Sequence, residues 1–332
     1  MVLINFFEDL FTFIKFKKIE KNFKFIFFNE NEYTFSYIKD YILSKKNISN
    51  VVVLSIEKVH LQGCNVIRLK TNFFLKLFFL TLNIRYVYST TTNLNNSIFL
   101  RSKVSNNRYI YLQHSPVSLS MIYDEKAFVF FDAIQVINKS QYNDVRDINK
   151  LFKKKIKPFK SKYRFISKKL NELNKQSIDV LIAPTWHTDF YKLNIHEKLF
   201  EIFKKENISF EFRPHPMSIK KKEFRINNNI KINTEKFIDF GKFKFLISDW
   251  SGIFIEFAII NKSRPILINT SKKILNKNYL SFSNLPIELV SRKTIATEFE
   301  TDKIDDIANY ILNQSDDEYK NIIKYFYENN FF

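Results

Sequence analysis

Four short stretches of the sequence collect the residue types that bind phosphate and move protons. Three of the chain's five histidines and both of its tryptophans lie in these stretches. Imidazole, guanidinium and hydroxyl groups hold phosphate oxygens by hydrogen bonds, and a neutral imidazole accepts a proton near pH 7. The clustering indicates a site for phosphoryl chemistry, built from His114-Ser115-Pro116, Pro184-Thr185-Trp186-His187, Arg213-Pro214-His215-Pro216 and Ser248-Asp249-Trp250-Ser251-Gly252.

The stretch FEFRPHPMS, residues 210–218, fixes a histidine between two prolines. Each proline holds its own φ and pushes the residue before it toward extended geometry, so the backbones of Arg213 and His215 are restricted. We expect Arg213 to hold a diphosphate with a bidentate fork and His215 to donate a hydrogen bond to a bridging or leaving oxygen. The alternative interpretation is a strand that simply ends at a turn.

The fourth stretch is expected to start a helix near Ser251. Such a helix would point unpaired amide groups and its positive dipole end at the site, a geometry that binds phosphate. Ser251 would add a hydroxyl donor, and Gly252 would let the backbone approach closely. Ser248 or Asp249 could act at the phosphate or as the N-cap. Glu256 could face the site or solvent, and a glutamate is favourable in a first helical turn in any case.

His114 belongs to the other half of the sequence and is the candidate general base. An imidazole with a near-neutral pKa is suited to deprotonating an attacking hydroxyl. The alternative is a turn histidine that is hydrogen-bonded to the backbone.

The four stretches each follow a predicted strand, at 108–113, 179–184, 209–214 and 243–248. In open parallel α/β sheets, ligands bind just beyond the carboxyl ends of the strands. Other predicted strands lie at 23–28, 51–56, 65–69, 84–89 and 264–269, and predicted helices include 33–46, 194–207, 251–261 and 316–330. This alternation predicts an α/β fold with parallel sheets covered by helices.

A chain of 332 residues is expected to form two domains. The lysine-rich stretch 153–165 has the composition of a linker or an exposed helix end. We therefore predict an N-terminal, acceptor-side Rossmann-like domain over 1–160 and a C-terminal, donor-binding one over 161–315, facing a central cleft. The helix at 316–332 could pack back on the N-terminal domain.

Composition excludes several classes of site. The chain has three glycines, so neither a GxGxxG dinucleotide motif nor a P-loop can be written. There is no Asp-x-Asp pair for a divalent ion. One cysteine permits no intramolecular disulfide and no cysteine-based zinc site, which fits a reducing cytoplasm. No metal site is predicted.

The charge balance, 53 Lys and Arg against 34 Asp and Glu, suits a phosphate-rich ligand, an anionic membrane or nucleic acid. Part of this excess is the background expected from an AT-rich coding bias. No signal peptide is evident, and the apolar run 73–82 is shorter than the roughly 20 residues of a membrane span. The apolar spacing at 3–14 could form a helix that rests on an anionic membrane or packs within a domain.

These residues resemble a known family. APTW, RPHP, the Ser-Asp-aromatic-Ser stretch and a strand entered through RPI occur in an order that resembles the CDP-glycerol glycerophosphotransferase family of teichoic-acid and capsule synthesis. QHSP, ending at Pro116, resembles that family's His-Gly-Thr-Pro loop. The resemblance covers most of 108–270.

The resemblance implies a GT-B architecture, no cofactor or catalytic metal, and transfer of a polyol phosphate from a CDP-linked donor to a hydroxyl of a surface-polysaccharide or lipid-linked acceptor. It also implies a cytoplasmic protein, peripheral on the inner face of the cell membrane. His114 resembles the base, His215 the diphosphate-binding histidine, and four further residues resemble donor-binding positions: Thr185, Arg213, Asp249 and Ser251.

The sequence departs from the family pattern at three positions. The family's His-Gly-Thr-Pro loop is His114-Ser115-Pro116 here, His187 stands where the family has arginine, and Gly252 stands where it has a second serine. Two alternatives therefore stay open. One is a GT-B glycosyltransferase that uses a nucleotide sugar in capsule or lipopolysaccharide synthesis. The other is a non-catalytic basic module that binds nucleic acid or membrane, although no nucleic-acid-binding motif is recognisable.

Overall fold

The computed structural model describes residues 2–30, 32–45, 47–169, 176–186, 188–224, 230–235, 238–314 and 318–332. The chain divides into two compact units. Unit 1 comprises Met1–His114, Tyr123–Arg164 and Ser281–Ser283. Unit 2 comprises Ser115–Ile122, Phe165–Leu280 and Asn284–Phe332.

Unit 1 contains a seven-stranded parallel sheet in the order β3-β2-β1-β4-β5-β6-β7. Its strands are β1 (Phe25–Asn29), β2 (Val51–Ser55), β3 (Asn65–Arg68), β4 (Tyr86–Ser89), β5 (Arg108–Tyr111), β6 (Ala133–Val136) and β7 (Lys157–Lys160). Its helices are α1 (Val2–Ile19), α2 (Glu32–Leu43), α3 (Asn72–Leu80) and α4 (Lys139–Leu151), and α5 (Arg164–Lys169) starts at the boundary with unit 2. The first six strands have the order of a Rossmann fold.

Strand β2 shows why an interior strand of this sheet forms. Its sequence VVVLS is fully buried, as expected for a β-branched strand covered by helices on both faces. Aromatic side chains on the neighbouring strands complete the core. Phe27 and Tyr88 stack at 4.7 Å between ring centroids, and Phe28 meets Phe79 of α3 edge to face at 4.9 Å.

Unit 2 contains a five-stranded parallel sheet in the order β12-β11-β10-β8-β9. Its strands are β8 (Ile178–Ile182), β9 (Phe210–Phe212), β10 (Phe243–Ser248), β11 (Ile266–Ile268) and β12 (Thr297–Phe299). Its helices are α6 (Ile195–Lys205), α7 (Pro216–Lys221), α8 (Ile253–Asn261), α9 (Ile287–Ile295), α10 (Asp306–Asn313) and α11 (Tyr319–Asn330). The order is that of a flavodoxin-like sheet, whose strand order reverses between β8 and β10.

The predicted fold class is confirmed, because each unit is an α/β layer structure on a parallel sheet. The unit boundaries differ from the predicted domains. Ser115–Ile122 belongs to unit 2 although both of its flanks belong to unit 1, and α11 is part of unit 2, where it packs against α8 and α9. The lysine-rich stretch 153–165 is not only a linker, because it contains β7. This strand lies at the edge of its sheet, where lysines are tolerated.

Candidate functional site

Three of the four predicted stretches lie at the carboxyl edge of the unit 2 sheet. Thr185 follows β8, Arg213 and His215 follow β9, and residues 249–252 follow β10. The loops after β8 and β10 flank the point where the strand order reverses. In open parallel sheets this is where ligands bind.

Asp249 holds the loops of this edge together. It is fully buried, and its carboxylate accepts hydrogen bonds from the Thr185 amide at 2.7 Å, from Thr188 Oγ1 at 2.8 Å and from Thr270 Oγ1 at 3.4 Å. Burial raises the pKa of Asp249, while the hydrogen bonds from Thr185 and Thr188 oppose that effect. The structure therefore gives Asp249 a role in holding these loops together.

Ser248 is also part of the scaffold. Its hydroxyl is buried and donates to the Ala183 carbonyl at 2.7 Å. Helix α8 begins at Ile253, two residues later than predicted, and its N-cap is Gly252. Ser251 Oγ accepts from the Ile253 amide at 3.5 Å, so this hydroxyl lies beside the first turn of α8. Neither Ser248 nor Asp249 caps the helix.

The close approach of the segment that contains Ser115 and Val117 leaves no room for a side chain at Gly252. A methyl group at this position would lie 2.5 Å from Val117 Cγ1 and 2.9 Å from Ser115 Oγ, and the backbone has an ordinary φ of −63°. Glu288 secures the same segment, since its Oε1 accepts from the Ser118 amide at 3.0 Å and from the Ser118 hydroxyl at 3.1 Å. Ser115 therefore packs beside the start of α8 within unit 2.

Glu256 lies in the first turn of α8 and is buried, with 6% of its surface exposed. It therefore does not face solvent, which was one of the two predicted orientations.

The His215 ring is oriented by a hydrogen bond to Nδ1, which leaves Nε2 to contact a ligand. Its Nδ1 accepts a hydrogen bond from the Met217 amide at 3.1 Å, so His215 caps α7, and Pro216 occupies the first helical position. In the neutral ring the proton is then on Nε2, which can donate. Burial, together with the positive charges of Lys273 and Arg213, lowers the pKa of His215 to about 3. His215 is therefore neutral at pH 7 in the free protein.

Arg213 is engaged by the protein. Its Nη1 donates to Asn233 Oδ1 at 2.9 Å and to the Glu235 carbonyl at 2.5 Å. The predicted bidentate grip on a diphosphate would have to use its other guanidinium nitrogens.

A cationic cluster surrounds Trp186, and its lysines were not predicted. Lys273 Nζ donates to Thr185 Oγ1 at 3.2 Å and lies 4.9 Å from the centre of the Trp186 ring. Lys221 Nζ lies 4.7 Å from the same ring, and the His215 ring lies 6.1 Å from it. Burial lowers the pKa of Lys273 to about 8, opposed by the negative charges of Asp249 and Glu288. This cluster can neutralise an anionic ligand.

Lys273 follows β11, so it lies at the carboxyl edge like the predicted residues. That position is the sequence signal that could have identified it. His187, predicted to replace a family arginine, lies outside the described residues.

His114 belongs to unit 1, where it follows β5. Its Nδ1 lies 3.4 Å from the Tyr111 hydroxyl, and its carbonyl accepts from the Tyr163 hydroxyl at 3.2 Å. The Tyr37 ring lies edge-on at 6.3 Å. Burial lowers the pKa of His114 to about 4, so the ring is neutral at pH 7 and can accept a proton.

Among the described residues, no group of three or more His, Cys, Asp and Glu side chains is arranged to hold a metal ion.

Comparison with known proteins gives a family match to part of the chain. Residues 148–273 match the model of the CDP-Glycerol:Poly(glycerophosphate) glycerophosphotransferase family. The recognition made from the sequence is confirmed. Over this segment, which is less than half of its length, the chain is similar to CDP-glycerol glycerophosphotransferases. The matching segment contains Thr185, Arg213, His215, residues 248–252 and Lys273. No curated protein sequence is significantly similar to it.

Solved structures are similar to the chain in fold. The wall teichoic acid polymerase TagF is 13% identical, with 98% of this chain and 93% of that chain covered and a TM-score of 0.58. A variant of TagF is 14% identical over the same shares, with a TM-score of 0.61. The Methanocaldococcus jannaschii UDP-GlcNAc 2-epimerase is 11% identical over 92% of this chain and 99% of its own, with a TM-score of 0.53. The fold is GT-B-like, as predicted.

Proposed function

We propose that the protein transfers a glycerol-phosphate or similar polyol-phosphate unit from a CDP-linked donor to a hydroxyl of a surface-polysaccharide or lipid-linked acceptor. The observation that carries this proposal is the grouping of Thr185, His215 and Lys273 around Trp186, at the carboxyl edge of the unit 2 sheet. This group lies inside the segment that matches the family model. A TagF structure named with CDPG as its ligand supports a CDP-linked donor.

The donor diphosphate would be bound without a metal ion or a cofactor. Lys273 supplies a positive charge, His215 donates from Nε2, and Ser251 contributes its hydroxyl next to the α8 N-terminus, where amide groups and the helix dipole favour an anion. Arg213 adds positive charge nearby. Preorganised donors of this kind stabilise the charge that develops on phosphate and leaving oxygens.

The proposed reaction is an in-line displacement at phosphorus. His114 accepts the proton of the acceptor hydroxyl as its oxygen attacks the phosphorus that carries the polyol. The bond from this phosphorus to the oxygen of CMP breaks, and the electron pair leaves with CMP. The products are a phosphodiester, CMP and the proton held by His114. An anionic donor nearby would raise the basicity of that imidazole.

The alternative is a nucleotide-sugar transferase, and the similarity in fold to a UDP-GlcNAc 2-epimerase favours this alternative. A donor assay distinguishes the two functions. We expect CMP release from CDP-glycerol or CDP-ribitol and no release of UDP or GDP from nucleotide sugars, measured by chromatography with a saccharide acceptor. Activity should persist in EDTA. Turnover with a nucleotide sugar alone would reject the polyol-phosphate proposal, and a loss of activity in EDTA would reject metal independence.

Helix α1 carries the surface that we propose to rest on an anionic membrane at its cytoplasmic face. Its exposed apolar side chains include Leu3, Phe7, Phe11 and Ile14, with 46–73% of their surfaces exposed. Phe73 of α3 is also exposed and contacts Phe6 of α1. Exposed apolar rows beside lysines are typical of helices that lie in a membrane interface. No helix among the described residues has both the length and the apolar content that a membrane crossing requires.

Substituting Phe7→Ser and Phe11→Ser together should weaken binding to anionic vesicles by about tenfold or more, since each buried apolar side chain contributes about 1.5–3 kcal/mol. Co-sedimentation with vesicles that contain phosphatidylglycerol measures the change. Leu280→Ser with Leu285→Ser is the matched control, because these exposed side chains lie in unit 2. Equal binding by all three proteins would show that α1 is not the docking surface.

A further inference from the structure

Cationic residues gather where the strands of unit 1 begin. Arg108 and Lys157 are the first residues of β5 and β7, and Lys24 and Arg85 directly precede β1 and β4. Because all strands of this sheet are parallel, their amino ends share one edge, which we call the amino-terminal edge. His114 follows the other end of β5, about 20 Å away at 3.3 Å per residue.

Two cavities open along the amino-terminal edge. The first, of about 560 Å³, is lined by Arg101, Arg108, Phe130 and Lys154 among others. The second, of about 490 Å³, includes Lys24 and Arg85 in its lining. Both volumes are in the range of ligand-binding pockets. Arg85 borders the second cavity and its neighbour Tyr86 borders the first, so the two adjoin.

The charge of this edge exceeds the basic background of the chain. Five cationic side chains and a single carboxylate, Asp132, line the first cavity, whereas the whole chain has 53 basic and 34 acidic residues. Asp132 is itself paired with Arg101 at 3.0 Å. Within the described part of the chain, no carboxylate pairs with the other four cations, Arg108, Lys154, Lys155 and Lys157. Their charge is available to an anionic ligand.

The length of the edge indicates how many phosphates it can bind. The strands β1, β4, β5, β6 and β7 are neighbours, and at about 4.8 Å between strands they extend over roughly 19 Å. This is longer than one phosphate or one diphosphate. Phe130 is 41% exposed in the first cavity, with Lys154 Nζ 5.4 Å from its ring centre. An apolar ring beside cations suits a ligand whose phosphates alternate with short carbon units.

We propose that the amino-terminal edge is a second binding site, which holds a phosphodiester polymer of polyol-phosphate units at a distance from the reacting groups. The identity of the polymer rests on the proposed function, while the binding of a phosphate polyanion rests on the cavities and their charge. The site retains the growing product while its end is extended.

A four-residue variant tests the site, with Arg108→Gln, Lys154→Gln, Lys155→Gln and Lys157→Gln combined. The matched control replaces four exposed lysines of unit 2, with Lys198→Gln, Lys204→Gln, Lys205→Gln and Lys303→Gln combined. The probe is a fluorescent oligo(glycerol phosphate) of about ten units, and its binding is followed by anisotropy at several salt concentrations. Thermal unfolding of both variants checks that they are folded.

We expect binding of the oligomer to weaken by about tenfold or more in the edge variant and by less than about twofold in the control, with a shallower salt dependence in the edge variant. Equal weakening in both variants would show that net charge alone is responsible and would overturn the proposal. Two other results would also overturn the proposal. One is that single-stranded RNA with the same number of phosphates binds as tightly as the oligomer. The other is that the edge variant no longer binds anionic vesicles but still binds the oligomer.

The donor assay separates this proposal from the proposed function. If the protein binds the oligomer at this edge but releases no CMP from CDP-glycerol, the second site stands and the proposed reaction is rejected. If both variants cleave the donor normally and bind the oligomer equally well, the proposed reaction stands and the proposed second site is rejected.

Discussion

Replacing His215 by alanine should lower kcat/KM for the CDP-linked donor by about 10²–10³-fold, the usual effect of removing one preorganised donor from a developing charge. The substitution removes the Nε2 proton that we propose to contact the diphosphate. It also removes the acceptor that caps the Met217 amide. Steady-state kinetics with varied donor measures the loss.

His215→Asn is the control that separates these two effects, because asparagine is a favourable N-cap but lacks an imidazole. We expect His215→Asn to unfold at a higher temperature than His215→Ala and to remain as inactive. Full activity in either variant would remove the diphosphate role of this histidine.

The pH dependence of kcat/KM for the donor follows from the shifted pKa values of His215 and Lys273. With a pKa of about 3 in the folded protein, His215 should stay neutral from pH 5 to pH 8. Lys273, with a pKa of about 8, should lose its proton as the pH rises through that value, so kcat/KM should fall on the alkaline side. Lys273→Met should be less active and lack this fall, whereas Lys272→Met, at the exposed neighbour, should keep it. A fall in kcat/KM near pH 6 that disappears in His215→Ala would contradict the neutral state.

His215 also makes folding stability depend on pH. Its folded pKa lies below the ordinary value of 6.5, so the unfolded chain binds more protons between these values. Its contribution to stability is therefore complete above about pH 6.5 and is lost as the pH falls toward 3.

Replacing His114 by alanine should reduce transfer to the acceptor by about 10²–10⁴-fold, the range for loss of a general base. The affinity for CDP should not change, because the proposed donor-binding side chains belong to unit 2 and His114 to unit 1. Single-turnover transfer and calorimetric titration with CDP measure the two quantities separately. His60→Ala is the matched control, since His60 is an exposed histidine in the same unit. A collapse of CDP affinity in His114→Ala would show that the base assignment is wrong.

The strands of the two sheets were largely predictable because buried parallel strands are short apolar runs. VVVLS and FKFLIS are examples, and both form strands that are paired on both sides. Strands β6, β7 and β12 were missed, and for β7 and β12 the reason is physical. Each lies at the edge of its sheet, so β7 tolerates two lysines and β12 tolerates a glutamate. Hydrophobic periodicity carries little information about such strands.

The candidate site was predictable as a set of loops but not as a set of contacts. The sequence places Thr185, His215 and Ser251 after strands, and parallel pairing brings those loops to one edge. The sequence does not show that the Asp249 carboxylate accepts hydrogen bonds from another loop. Lys273 was missed because its partners, Thr185 and Trp186, lie almost ninety residues away in the chain.

The segment Ser115–Ile122 has a consequence for dissecting the gene. Its attachments, Gly252 and Glu288, are encoded far downstream, whereas its flanking residues are encoded with unit 1. A fragment cut near residue 160 would carry this piece without those attachments, and the complementary fragment would lack it. Neither half should behave as an autonomous protein, so biochemical work on donor binding calls for the uncut polypeptide.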